Sequence, residues 1–135
     1  MFTASNARFY KIDITNSNEI TVLAKEIRKK HGEPTVLVNN AGVSVCLPIF
    51  KETELQLRNI FNVNTISHFM MAKEFVPAMA KANHGHVVTV ASMGSYAAYA
   101  DNVSYTCTKA SALAFHEGLG QELKHRYNAP KVRTT

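Results

Sequence analysis

Tyr105 and Lys109 are the residues whose types and spacing most clearly point to chemistry. On a helix, their i, i+4 separation puts both on one face, one turn apart. A free phenol ionises near pH ~10 and is a poor acid or base at neutrality; a neighbouring ammonium favours the phenolate and moves it toward proton transfer. An isolated Tyr-x-x-x-Lys is more often a half-buried tyrosine beside a solvated lysine. Here the neighbours argue otherwise. Ser92 ends the apolar run His86-Val87-Val88-Thr89-Val90-Ala91, so its hydroxyl can enter the cleft that Tyr105 faces. Asn64 sits within a long helical pattern, where an amide is a mediocre helix former and asks for buried partners. Asn39-Asn40-Ala41-Gly42 follows another apolar run, and small residues there let backbone approach a ligand closely. A hydrolase nucleophile at Ser92 is excluded, because Val90-Ala91-Ser92-Met93-Gly94 lacks the glycine that such a turn needs before the serine.

The elements that must position these residues alternate. Phe9-Tyr10-Lys11-Ile12-Asp13 reads as a short strand. Asn16 or Ser17 caps a helix to about His31, with Ile20, Leu23, Ala24 and Ile27 on one face and Gly32 as its stop. Thr35-Val36-Leu37-Val38 is a continuous apolar run, the signature of a strand buried on both faces. Thr53 opens a long helix to about residue 81, with Glu54 in its first turn and Pro77 expected to kink or disturb its last turns. Asn83-His84-Gly85 is a turn, 86–91 a strand, 92–101 a loop, 102–127 a helix and 131–135 a last strand. The order β-α-β-α-β-α-β predicts an α/β fold with a doubly wound parallel sheet and right-handed crossovers. In such sheets ligands bind at the carboxyl ends of the strands, where Asp13, Asn40 and Ser92 fall.

Taken together and in order, Asp13-Ile14-Thr15, Leu37-Val38-Asn39-Asn40-Ala41-Gly42, Asn62-Val63-Asn64, Val88-Thr89-Val90-Ala91-Ser92 and Tyr105-Thr106-Cys107-Thr108-Lys109-Ala110 resemble the short-chain dehydrogenase/reductase family. The resemblance covers essentially the whole chain. It implies a Rossmann-like fold and an NAD(P)-dependent oxidoreductase that interconverts an alcohol with its ketone or aldehyde. Tyr105 would exchange a proton with the substrate oxygen. Lys109 would tune Tyr105 and hydrogen-bond the nicotinamide ribose, and Ser92 would hold the substrate oxygen where charge develops. Asn64 would position a water that relays protons from Lys109. Asp13 would contact adenine, and Asn40 with Ala41 and Gly42 would line the adenosine half of the cofactor. The run Ala110-Ser111-Ala112-Leu113-Ala114-Phe115-His116-Glu117-Gly118-Leu119, with Gln121-Glu122-Leu123, is similar to the retinol and 17-beta-hydroxysteroid dehydrogenase branch and its fungal relatives. That branch implies a lipophilic retinoid-, steroid- or fatty-type substrate. The apolar loop 93–100, with Tyr96 and Tyr99, fits either substrate contact or packing on the last helix.

The family's first strand, glycine-rich turn and helix, which hold the pyrophosphate, have no counterpart in this sequence. Segment 9–13 matches the family's third strand, and the substrate lid after the last helix has no counterpart either. Residues 1–135 are therefore expected to be a partial NAD(P)-binding domain, truncated at both ends, with the residue that selects NAD or NADP outside it. A second reading stays open: a non-catalytic fragment or interaction module of the same fold. The resemblance also implies a homodimer contact through helices 53–81 and 102–127.

Composition sets the remaining limits. The 135 residues are 46% hydrophobic and 19% charged, which excludes a disordered chain. No run approaches the ~18 apolar residues of a membrane span, and Met1-Phe2-Thr3-Ala4-Ser5 has no signal-peptide pattern. The net charge of +5 is not gathered into one tract; its two small clusters, Arg28-Lys29-Lys30-His31 and Lys124-His125-Arg126, fall at expected helix C-termini and offset macrodipoles rather than mark a nucleic-acid surface. His84 and His86 lack a third neighbour for a metal. Cys107 is expected to face away from the Tyr105–Lys109 line as a small core residue, and Cys46 to be an unactivated thiol. Two cysteines make no disulfide framework and suit a reducing compartment. The cytosol is the default location, with membrane association open for a longer form.

Overall fold

The computed structural model describes residues 7–135, so the signal-peptide reading of residues 1–5 lies outside it. Helix α1 (Ser17–His31) begins where Asn16 Oδ1 accepts from the amides of Asn18 and Glu19 at 3.1 and 3.4 Å. It ends at Gly32, whose φ of +82° suits a residue without a β-carbon. Strand β1 (Val36–Asn39) comes next, then a 3-10 turn at Ile49–Lys51. A capping box between Thr53 and Gln56 opens helix α2 (Glu54–Phe61).

The single helix expected over 53–81 is broken by a π-helical turn, Asn62–Ile66, before α3 (Ser67–Ala82). A π-turn inserts a residue and rotates the helix beyond it, and such turns gather at functional sites. Pro77 does not end α3, which runs on to Ala82. Both Pro77 and Lys73, whose carbonyl loses its amide partner, are exposed, so water can replace the missing bond. Asn83 closes α3 in the left-handed conformation, and its Oδ1 accepts from the Lys131 amide at 2.9 Å. Strand β2 (Gly85–Thr89), a 3-10 turn (Met93–Ser95), helix α4 (Val103–His125) and strand β3 (Val132–Thr134) complete the chain.

The sheet has order β1-β2-β3, all parallel, with Asn39 opposite Thr89 and Gly85 opposite Val132. Segment 9–13 forms no strand, which corrects the sequence reading. A strand exists through its ladder, and no described strand lies beside this segment; Phe9 is 95% exposed. The expectation of burial on both faces of β1 fails for a related reason. Leu37 and Asn39 face the helices and are buried, while Val36 and Val38 are 55% and 54% exposed on a face that no described element covers.

The core lies between the sheet and α1, α3 and α4, built from Ala24, Leu37, Phe75, Met79, Val87 and Phe115 among others. Both basic clusters sit in last helical turns, as read from sequence. Arg28 pairs with Glu33 and Glu74 and donates to the Glu74 carbonyl, and Lys30 pairs with Glu26. Cys107 is exposed, which corrects its assignment to the core: the buried face of α4 carries Ser104, Thr108, Ala112 and Phe115, and Cys107 lies off that stripe.

Gly85 is the most tightly enclosed of the glycines. A β-carbon there would stand 2.7 Å from Met79 Cγ and 2.8 Å from Met79 Cβ and Sδ. Met79 Cβ is tied to the backbone of α3 and cannot swing away. Gly85→Ala is therefore expected to destabilise the chain by about 1–3 kcal/mol, read as a lower urea midpoint with unchanged slope.

Candidate active site

The π-turn carries Asn64 to the interior, where it is fully buried. Its Oδ1 accepts from the Val43 amide at 2.8 Å, and its Nδ2 donates to the Val43 carbonyl at 2.8 Å and to Thr108 Oγ1 at 3.0 Å. Thr108 Oγ1 donates in turn to the Tyr105 carbonyl at 2.7 Å. One amide thus joins the loop after β1 to the first turns of α4. A polar side chain this deeply buried persists only when its bonds are made, and the π-turn supplies the rotation that makes them.

Lys109 is only 5% exposed. Its Nζ donates to the Val90 carbonyl, just past β2, at 2.7 Å and lies 5.9 Å from the centroid of the Tyr105 ring. A β-carbon on Gly42 would be 3.5 Å from Asn64 Oδ1 and 3.8 Å from Lys109 Nζ, so loop, amide and ammonium converge on one point. Ser92 Oγ accepts from the Gly94 amide at 3.1 Å, which leaves its O–H uncommitted among the described residues. A β-carbon on Gly94 would be 3.4 Å from Ser92 Oγ and 3.7 Å from Tyr105 Cε1, so the two side chains flank one glycine. Ser95 Oγ donates to the Lys109 carbonyl at 2.9 Å and fastens this loop to α4.

Asn40, Gly42, Tyr99, Tyr105 and Lys109 line a cleft of about 520 Å³ at the carboxyl ends of β1 and β2. Asn64 lies behind its wall and Ser92 beside Tyr105. Asp13 is not among the lining residues. It is exposed, and hydrogen bonds from the Thr15 hydroxyl and amide hold its carboxyl below the usual range. His86 donates to or accepts from Thr135 Oγ1 at 2.8 Å, a strand-to-strand tie. A larger apolar groove of about 1040 Å³ runs between α3 and α4, past Phe69, Val76, Ala114, Phe115, Gly118 and Leu119.

Thr108 and His68 join the site without a signal in the sequence. Thr108 stands between Tyr105 and Lys109, and its role needs the knowledge that Asn64 reaches it. His68 lies one turn after Asn64, is 3% exposed and packs its ring against Phe115 at 5.9 Å. Burial, and then the charge of Lys109, push its pKa down from 6.5 to about 4. Its Nδ1 has no partner among the described residues. Folded His68 therefore stays neutral while the unfolded chain takes up a proton below pH 6.5. Stability is expected to fall as the pH drops below that value and to level off near pH 4, where the folded form also protonates. The loss between about pH 7 and about pH 5 is about 2 kcal/mol. Urea melts of the parent chain and of His68→Leu, which lacks the titration, measure it.

Known proteins share this fold. The profile described as short chain dehydrogenase matches residues 2–133. Dehydrogenase RED3 of Cochliobolus heterostrophus is 49% identical over the whole chain, which spans 69% of that protein. Estradiol 17-beta-dehydrogenase 11 of Homo sapiens is 38% identical over 84% of the chain, which spans 38% of that protein. A metagenomic short-chain oxidoreductase crystallised with NADP superposes with a TM-score of 0.85 at 27% identity, over 93% of this chain and 55% of the other. The chain thus spans about two thirds of one relative and about half or less of the others. By its profile, its relatives and its parallel sheet, the chain belongs to the short-chain dehydrogenase family of NAD(P)-dependent oxidoreductases that act on CH–OH groups.

Proposed function

We propose that residues 1–135 hold the proton-transfer centre of an NAD(P)-dependent oxidoreductase that interconverts a lipophilic alcohol and its carbonyl form. One observation carries this reading: at the strand ends the buried Lys109 ammonium lies 5.9 Å from the centroid of the half-buried Tyr105 ring, and the buried Asn64 amide is tied through Thr108 to the Tyr105 backbone. Tyr105 takes the hydroxyl proton in oxidation and returns it in reduction. Lys109 has one donor committed to Val90, which leaves donors for Tyr105 and for a ribose hydroxyl. Ser92 turns its uncommitted O–H toward the substrate oxygen, and Asn64, anchored to Val43 and Thr108, would position the water that relays protons from Lys109.

The residues present fit a nicotinamide dinucleotide. Asn40 to Gly42 expose backbone along the cleft, Lys109 brings a cation, and the Tyr105 hydroxyl has no partner among the described residues. Asp13, Asn40, Tyr105 and Lys109 would hold it, and when bound it supplies or accepts the hydride. The lipophilic substrate class is supported by Met93 and Tyr96, 88% and 81% exposed, and by Tyr99 in the cleft. The 17-beta-dehydrogenase relatives support the same class.

The second reading, a chain of this fold without turnover, is favoured by the uncovered face of β1. Titration of NADPH fluorescence separates the two. Quenching or a blue shift with micromolar Kd, with oxidation of a long-chain or steroid alcohol, supports the enzyme; an unchanged spectrum at millimolar chain selects the fragment.

The groove between α3 and α4, with Phe69 46% exposed, suits a second copy of the chain, and sedimentation equilibrium reads the expected dimer mass. No described helix is long and apolar enough to cross a membrane. The free, exposed thiols of Cys46 and Cys107 support a reducing compartment such as the cytosol.

A further inference from the structure

Asn102 stands at the N-cap of α4, the position where asparagine normally accepts from the helix's first amides, yet its side chain makes no capping bond. Its Oδ1 instead accepts from Ser44 Oγ at 3.0 Å and from Cys46 Sγ at 3.5 Å, both on the loop after β1. All three residues line the same cleft as Tyr105 and Lys109. A strong capping residue has been diverted from its helix to the opposite wall of the cleft.

The network around Asn64 already ties this loop to α4 from behind, through Val43 and Thr108. Ser44, Cys46 and Asn102 make a second tie at the mouth. Tyr105 is one turn along α4 from Asn102, so the spacing between the loop and the phenol depends on this contact. We propose that Asn102 is a positioning residue that clamps loop 43–47 to the first turn of α4 and sets the width of the substrate cleft. The inference rests on the reading of Tyr105 as the proton-transfer residue, but the clamp itself is measured without turnover.

The test is hydrogen exchange of the 43–47 amides in the full chain, read by mass spectrometry for Asn102→Ala, Ser44→Ala, the double variant and Asn102→Asp. Loss of the Ser44 bond is expected to speed exchange about fivefold in Ser44→Ala, and at least as much in Asn102→Ala, which loses the Cys46 contact as well. The double variant should exchange no faster than Asn102→Ala, because that substitution already removes the Ser44 contact. Asn102→Asp keeps an acceptor oxygen and should restore slow exchange. No capping bond is lost in Asn102→Ala, so α4 amides should be unaffected. In the same samples, Asn102→Ala should lower kcat about tenfold with the KM for NADP(H) unchanged, as expected when reacting groups lose alignment, and Asn102→Asp should recover it. Parental exchange in Asn102→Ala, or strictly additive singles, overturns the clamp. Faster exchange with parental kcat overturns its role in setting the cleft. Absence of turnover in every variant and in the parent counts against the proposed function, and exchange still decides the clamp.

Discussion

Tyr105→Phe is expected to abolish the proposed alcohol oxidation while leaving the fold intact. The Tyr105 hydroxyl makes no hydrogen bond to any described residue, so its removal leaves no orphaned partner, and the melting temperature should stay close to that of the parent. Only the proton carrier is lost. Positioned acid–base catalysis contributes about 10²–10⁴-fold, and kcat should fall by that factor, well beyond any loss of NADPH affinity from the missing hydroxyl. Parallel measurement of turnover, NADPH fluorescence and thermal melting separates this from unfolding. Oxidation at the parental rate would remove Tyr105 from the mechanism and shift attention to Ser92, across Gly94 from the same ring.

Asn64→Ala gives the opposite pattern, with fold and chemistry failing together. Three hydrogen bonds disappear from a fully buried site, leaving the Val43 amide and carbonyl without their side-chain partner. An orphaned buried group costs about 1–3 kcal/mol, and the Val43 groups, on a residue 38% exposed, fall toward the lower end. A total of about 3 kcal/mol, or roughly 10 °C in Tm, is the expected loss, since loop relaxation lets water reach part of the site. Asn64→Asp should recover only part of it. The carboxylate still accepts from Val43 but cannot donate to the Val43 carbonyl or to Thr108, so its urea midpoint should fall between parent and Asn64→Ala. A midpoint for Asn64→Ala equal to that of the parent would mean that the loop is held by the Asn102 contacts alone.

The two variants divide the site along a line that the sequence shows only in part. Spacing along one element is legible there: the Tyr105–Lys109 pair, the Asn16 and Gly32 caps of α1, the basic last turns and the position of Ser92 all derive from local rules of helix and strand geometry. Relations between elements are less legible. The sequence predicts a plain helix through Asn64, because backbone propensity does not register a π-turn that is stabilised by bonds to a loop 21 residues earlier. Thr108 resembles any helix threonine until its partner 44 residues away is in place.

Burial errors have the same origin. Residue type places Cys107 and the two valines of β1 in the interior, while exposure depends on which elements lie over them. Segment 9–13 has a strand's composition, but a strand needs a neighbour to bond to, and none is present among the described residues.

Residue type and periodicity alone determined the alternation of helices and strands after segment 9–13, and the motifs alone carried the family resemblance and singled out the four residues proposed for the chemistry, because these depend on short-range sequence patterns. The tertiary structure alone decided how those residues are held: the burial of Lys109 against Val90, the anchoring of Asn64 between Val43 and Thr108, and the diversion of Asn102 from its helix to the loop across the cleft. Each of these joins residues at least 19 positions apart, and such contacts form only when the packed sheet brings distant strand ends together.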